Sequence, residues 1–455
     1  MPGNLSFDEL KAAVAAGEID TVIVAGIDMQ GRLMGKRLTA DFFVRSGHAE
    51  THCCNYLLAT DMEMHTVSGY ASTSWAAGYG DYALRPDMST MRRIPWLEKT
   101  ALVLADIMDH HGHGDIAHSP RAILKRQIAR LDALGMRAMM ATELEFFLFD
   151  DSYETLHARD YAGLKTLGKY NEDYHIFQTT KEEDVMRAIR NGLNGAGIPV
   201  EGSKGEADAG QEEINVKYAE ALETADNHAL TKNGCKEIAW QKGRALTFLA
   251  KWKTDAAGSS SHVHQSLWSK DGEPLFYDAS VKGGMSKLME HYVAGLLEHA
   301  DATTYFLAPY INSYKRFAAG TFAPTKAVWS RDNRTAGYRM CGEGSRAIRI
   351  ECRVGGSDLN PYLAMAAQIA AGLDGIERKL VLEAPFKGDA YGAEKIREVP
   401  KTLRMAAAAM HKSEMLRAAF GDDVIDHYHH AAMWEQEDFD RRVTDYEVSR
   451  GFERA

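Results

Sequence analysis

Three charged side chains alternate along the segment Ala347–Val354. In an extended chain Arg349, Glu351 and Arg353 share one face, while Ile348, Ile350, Cys352 and Val354 share the other. A core strand does not carry three charges unless they are paired, because unpaired buried charge is costly. The segment is therefore either a solvated strand with a chance pattern or the floor of a site. In such a site Glu351 would hold a metal, and the planar arginine forks would grip phosphate or carboxylate. Arg331, Arg334 and Arg339 lie just upstream and add guanidinium.

Other segments carry groups of matching chemistry. Met139–Phe149 reads as a strongly apolar strand with Glu143 and Glu145 on one face. Two such neighbours repel unless a cation sits between them; otherwise the segment is an edge strand with a wet face. Glu206 follows Gly205, and Glu213 opens a strand. His262, His264 and Ser266 share a strand face after the small-residue loop around Gly258; they are structural histidines, metal ligands or phosphate contacts. Together the chain offers five carboxylates (Glu143, Glu145, Glu206, Glu213, Glu351), His262, and five arginines (Arg316, Arg334, Arg339, Arg349, Arg353). A carboxylate-rich cage with one imidazole suits Mg²⁺ or Mn²⁺ better than zinc. Arginines beside two such ions suit phosphoryl transfer. Neither Gly192–Gly197, which closes a helix, nor Gly202–Gly205 has the spacing of a dinucleotide or Walker loop, so a nucleotide must be held by another fold.

The elements that position these groups fall in two parts. With 455 residues, 45% hydrophobic and 26% charged, the chain has the composition of a globular protein of two domains or one large one. Its net charge of −11 gives no global basic field for nucleic acid, and no apolar run reaches membrane-spanning length. Five cysteines without CxxC spacing or a secretory leader read as free thiols in a reducing cytoplasm. Residues 3–18 read as an amphipathic helix, 20–28, 33–38 and 102–106 as strands, and 52–95 as a turn-rich stretch. Asp109–Asp115 reads as a flexible linker and the domain boundary. Beyond it, a helix opens at Ser119-Pro120, 182–197 is helical, Leu246–Lys251 is a strand, and 283–310 is mostly helical. Asn360-Pro361 opens a long helix to about Leu382, and 403–420 and 424–439 are amphipathic helices. Asp426 and His430, four apart, lack a third ligand at matching spacing.

In order along the chain, Glu143-Leu-Glu-Phe-Phe147, Glu206 with Ala209-Gly-Gln-Glu-Glu213, Gly258 with His262-Val-His264 and Ser266, Asn312-Ser-Tyr-Lys-Arg316, Asn333-Arg334, Arg349-Ile-Glu-Cys-Arg353 and Asn360-Pro-Tyr362 resemble the glutamine synthetase family. The resemblance implies an α+β protein, with an N-terminal β-grasp domain (residues 1–110) and a catalytic domain with a curved antiparallel sheet (111–455). It also implies a homo-oligomer of stacked rings with inter-subunit active sites. By motif position Glu145, Glu206 and Glu213 would hold one Mg²⁺ or Mn²⁺, and Glu143, His262 and Glu351 a second. His264, Ser266, Arg339 and Arg349 would contact ATP, Gly258, Arg316 and Arg353 would hold glutamate, and Arg334 would stabilise the transferring phosphoryl group. The implied chemistry is attack of the glutamate γ-carboxylate on ATP, then displacement of phosphate by an amine.

One loop departs from the ammonia-using pattern. Gly320-Thr-Phe-Ala-Pro324 places Phe322 where that pattern, G-Y-E-A-P, has a glutamate, and Ala257 stands where it has an asparagine. An aromatic in place of a carboxylate removes a cation ligand and adds apolar surface. The expectation is a γ-glutamyl-amine ligase, methylamine favoured, with the polyamine branch close behind and ammonia-using glutamine synthesis as the main alternative. Thr60–Glu63, with Asp61 preferred, is the expected source of the carboxylate that deprotonates the amine. A silent scaffold or regulator is disfavoured because all six ligands are present. No adenylylation pattern surrounds Tyr391.

Overall fold

The structure is a computed structural model and describes residues 3–455. The first helix, Phe7–Ala15, opens with a capping box: Ser6 and Glu9 each bond the other's backbone N–H. Six strands follow: β1 (Thr21–Ile27), β2 (Leu33–Thr39), β3 (Thr51–Cys54), β4 (Asp81–Pro86), β5 (Arg92–Arg93) and β6 (Thr100–Asp109). They form a sheet in the order β2-β1-β6-β4-β3, with β5 on β6. The β1–β6 pair is parallel and the other pairs are antiparallel. That arrangement, with a helix packed on it, is the β-grasp pattern.

β6 ends at Asp109, and there the structure corrects the flexible linker. The Asp109 carboxylate accepts from His111 N–H (3.1 Å) and from Gly112 N–H, and its own N–H donates to Gly114 O (2.8 Å). The result is a tight Asx turn.

The second sheet is built from β7 (Met136–Phe149), β8 (Val200–Gly205), β9 (Gln211–Val216), β10 (Ala219–Glu220), β11 (Ala245–Thr247), β12 (Val263–Ser269), β13 (Trp329–Arg331), β14 (Tyr338–Cys341) and β15 (Arg349–Cys352). Its order is β13-β14-β15-β12-β7-β9-β8, with β10 and β11 also on β7. All its pairings are antiparallel except β13–β14. The strand expected at 246–251 stops at Thr247. Beyond it, Asn312 takes both backbone groups of Lys251, accepting its N–H at 2.9 Å and donating to its carbonyl at 2.8 Å. A side chain thus replaces the ladder.

Helices cover the sheet. Pro120–Ala133 begins with Pro at its first position, as expected, but Ser119 makes no side-chain cap bond. The stretch expected at 283–310 divides at His299 into Lys287–Glu298 and Ala300–Leu307, and 403–420 divides at Ser413, which caps Glu414–Phe420. Pro361–Glu377 lies almost wholly buried and crosses Lys287–Glu298 closely. A Cβ on Gly295 would lie 2.1 Å from Ala371 O, so only glycine permits the approach. Asn360 caps this helix by accepting from Tyr362 N–H (3.1 Å), and its amide donates to Met29 O (3.0 Å) at the end of β1. The Asn-Pro-Tyr motif therefore ties the two sheets together. Of the remaining pair, Asp426 bonds Arg417 and His411 while His430 meets Ser68 O, so they do not converge.

Candidate active site

Strand register delivers the carboxylates. β7 runs between β9 and β12, and antiparallel pairing sets Glu145 opposite Glu213. On the other side His264 of β12 lies opposite Glu351 of β15, which in turn lies opposite Arg339 of β14. Directly opposed residues in antiparallel sheets have Cβ atoms about 4.5–5.5 Å apart. Alternation along each strand then keeps Glu143 beside Glu145, and Arg349, Glu351 and Arg353 in line.

Two groups of potential ligand atoms result. Glu145, Glu206 and Glu213 place one carboxylate oxygen each within 4.8 Å of one another. Glu145 is further fixed by Ser260, whose hydroxyl (2.6 Å) and N–H (2.7 Å) both donate to it. Burial, then the neighbouring Glu206 charge, pushes Glu145 up to about 7. Burial, then the charges of Glu143, Glu145 and Glu206, pushes Glu213 up to about 9. Lys204 bonds Glu206 and lies 3.1 Å from Asp173.

The second group is Glu143, His264 and Glu351, with His262 alongside, 2.7 Å from Glu143 and 3.4 Å from Glu351. Burial and the Arg353 charge depress His262 to about 4, leaving a neutral imidazole fit to ligate. Burial alone would raise Glu143, but hydrogen bonds from His262 and His264 hold it far below the usual carboxylate range. His264, expected only beside ATP, thus also belongs to this carboxylate group.

The donor set is mostly oxygen, with imidazole on one side only, and fits hard divalent ions. Carboxyl groups that hold protons up to pH 7–9 must release them to take up a cation. The apparent affinity for Mg²⁺ or Mn²⁺ is therefore expected to rise with pH between the Glu145 value of about 7 and the Glu213 value of about 9. Titration calorimetry in buffers of different ionisation enthalpy should register proton release at pH 7; a pH-independent affinity contradicts the assignment.

The arginines surround these groups. Arg353 donates to Glu351 (2.6 Å) and to Phe322 O (3.2 Å), and its Nε is buried without a partner. Arg316 is buried and bonds the carbonyls of Arg353 and Val354 at 3.0 Å. Gly258 is packed against it: a Cβ there would lie 2.6 Å from Arg316 Cγ. Arg349 reaches His264 Nδ1 at 3.2 Å.

Two clefts meet at Glu143. One, of about 210 Å³, is lined by Glu145, Glu206 and Glu213, by Glu143 and His262 from the second group, and by Gly258, Arg316, Phe322, Arg334, Arg339 and Arg353. The other, of about 820 Å³, is lined by His264, Ser266 and Arg349 with Tyr218 and Trp268. Arg339, expected beside ATP with those three, lines the acidic cleft and pairs with Glu351 (3.0 Å) and Asp332. Asp61 is not brought to either cleft within the chain; it lines a separate cavity with Tyr70, Tyr310 and Glu435. Sequence reasoning missed Ser260, Lys204, Asp173 and Tyr174. It also missed Trp268, which the period-2 pattern continuing from Ser266 could have found.

Comparison with known proteins matches this architecture. Residues 117–451 match the family description "Glutamine synthetase, catalytic domain". The chain is 48% identical over 452 residues to gamma-glutamylethanolamide synthetase GlnA4 of Streptomyces coelicolor, covering 99% of this chain and 96% of that one. It is 36% identical to glutamate–isopropylamine ligase of a Pseudomonas species, over 95% of each chain, and 38% identical to a glutamine synthetase of Thermus thermophilus, over 81% and 84%. The solved GmaS/ADP complex superposes with a TM-score of 0.84 at 24% identity, over 97% of this chain and 99% of that one, which establishes the shared fold. The chain belongs to the glutamine synthetase family. Within it, the likeness is to the glutamate–amine ligase branch of these ATP-dependent carbon–nitrogen ligases.

Proposed function

We propose that the protein joins glutamate to a small primary amine at the expense of ATP, forming a γ-glutamyl amide, ADP and phosphate. The glutamate γ-carboxylate oxygen attacks the ATP γ-phosphorus and ADP leaves, giving γ-glutamyl phosphate. The amine nitrogen then attacks the γ-carbonyl carbon, phosphate leaves, and a base takes the amine proton, because an ammonium has no free lone pair. Residues 1–110 form the β-grasp domain and 111–455 the catalytic domain. Divalent ions, Mg²⁺ or Mn²⁺, would be held by Glu145, Glu206 and Glu213 and by Glu143, His262 and Glu351, and would neutralise phosphate oxygens. Arg316, Arg353 and the Gly258 backbone clamp glutamate; His264, Ser266 and Arg349 hold ATP; Arg334 stabilises the transferring phosphoryl group. Asp61 would act from a neighbouring subunit of a ring-shaped homo-oligomer, since it lies away from the cleft of its own chain.

The observation that carries the amine assignment is Phe322 on the wall of the acidic cleft, where the ammonia-using pattern has a carboxylate. The names of the ethanolamide- and isopropylamide-forming relatives favour a primary amine with two or three carbons over methylamine. Phosphate release should be measured with glutamate and ATP across ammonia, methylamine, ethylamine, ethanolamine, isopropylamine and putrescine. An alkyl or hydroxyalkyl amine is expected to give the highest kcat/KM; if ammonia does, the assignment fails.

A further inference from the structure

A third set of carboxylates lies beneath the acidic cleft. Glu172, Glu182 and Glu212 come from three different segments, and each places an oxygen within 4.8 Å of the other two. All three are buried, at 0%, 0% and 1% exposure. Glu212 is the residue before Glu213 on β9, and alternation sends its side chain to the opposite face of the sheet from the catalytic cleft.

What distinguishes this cluster from an ordinary acidic patch is how little it is satisfied. Both oxygens of Glu182, Oε2 of Glu172 and Oε1 of Glu212 are buried with no well-formed hydrogen bond; Glu182 lies against Glu172, where only a protonated carboxyl can bridge the two, and near the Gly168 N–H. Glu172 Oε1 alone is engaged, by the Gly210 N–H at 2.8 Å. Two cations act on the cluster, Lys181 on Glu172 and Arg190 on Glu212, but neither bonds it: Lys181 bonds Gln178 (2.7 Å), and Arg190 bonds Ser203 (2.9 Å) and Glu183. Buried polar atoms are satisfied in the great majority of cases, and orphaned ones call for a ligand or ion. Burial, then the charges of Glu172 and Glu212, also pushes Glu182 up to about 9.

We propose that Glu172, Glu182 and Glu212 form a structural site for a third divalent cation, separate from the two catalytic groups. The donors are oxygen only, which selects a hard ion. The site is closed, and Ca²⁺ accepts irregular and bidentate carboxylates whereas Mg²⁺ retains several waters, so Ca²⁺ is the expected occupant, with Mn²⁺ second. Its consequence is positional. Glu172 precedes Asp173 and Tyr174, both on the wall of the acidic cleft, and Glu182 precedes the helix Glu183–Gly195. An ion bridging 172, 182 and 212 would pin that wall to β9.

The test is metal content of the full-length protein. Wild type, Glu182→Gln and Glu212→Gln are stripped with chelator, re-equilibrated with Ca²⁺ or Mn²⁺, desalted and analysed by plasma mass spectrometry. Each variant is expected to retain one equivalent per chain less than wild type, while the ions at the catalytic groups remain. Equal content in folded variants overturns the proposal and leaves a cluster of protonated carboxyls. Should neither variant fold, the stripped wild type decides: uptake of three equivalents per chain with a rise in Tm on Ca²⁺ supports the site, and no more than two equivalents overturns it.

Discussion

Replacing Glu351 by glutamine is expected to lower ATP-dependent phosphate release by about 10³-fold, the scale seen when one preorganised charge is removed from a transition state. Glu351 is fully buried, accepts from Arg339 (3.0 Å) and Arg353 (2.6 Å), and lies 3.4 Å from His262. Burial alone would raise its carboxyl, yet His262, once protonated in acid, and the Arg353 charge outweigh this and hold it at about 2. It is therefore ionised throughout the physiological range, and both guanidinium groups are oriented by that charge. Glutamine keeps the shape but turns an N–H₂ group toward other donors. Arg353 is then left buried with one anionic partner fewer, and breaking such a pair costs about 3–5 kcal/mol. Thermal unfolding should register the loss of stability and steady-state kinetics the loss of kcat. Glu351→Asp, which retains the charge, should recover part of both. A Glu351→Gln variant with wild-type kcat would remove this residue from the reaction.

Much of this arrangement is legible in the sequence because β-strand alternation is strict. Once Arg349, Glu351 and Arg353 are read as one face, and Glu143 with Glu145 as another, only the pairing partners are missing. Local pattern cannot supply these. Nothing in the sequence says that His264 will sit opposite Glu351, because the two are joined through chain folding back over more than eighty residues. For the same reason the spatial division between Arg339 and Arg349 was invisible: both are arginines near one strand pair, and only the sheet's register sends one to each cleft. The elements that were misread failed where a side chain displaced the backbone ladder, as Asn312 does at Lys251 and the Asp109 carboxylate does in its turn. The Glu172, Glu182 and Glu212 cluster had no local signature either. Each is an ordinary glutamate until β9 buries Glu212 against the other two.

Phe322→Glu is expected to reverse the amine preference. Phe322 lies on the loop that begins at Gly320, lines the cleft beside Arg353, and its carbonyl accepts from that guanidinium at 3.2 Å. Phe322 is 59% exposed in the free chain, so a bound alkyl group can still cover it; fully burying such a ring contributes about 1.5–3 kcal/mol, the upper bound for this contact. At about 1.4 kcal/mol per factor of ten, its loss lowers kcat/KM for the preferred alkyl amine roughly 10–150-fold. A carboxylate in the same place attracts a small cation, so ammonia should gain while the larger amine falls. The backbone supplies the control. Phe322 has φ 56°, a region that bulky residues rarely occupy, and glutamate is no better suited to it. Phe322→Gly relieves that backbone and removes the ring without adding charge. It should lose the alkyl-amine preference yet gain nothing toward ammonium. If both variants lower all amines equally, the loop acts through its backbone contact with Arg353, and the ring plays no part in choosing the amine. If only the glutamate variant gains ammonia activity, the choice between an amine and ammonia rests on this one side chain.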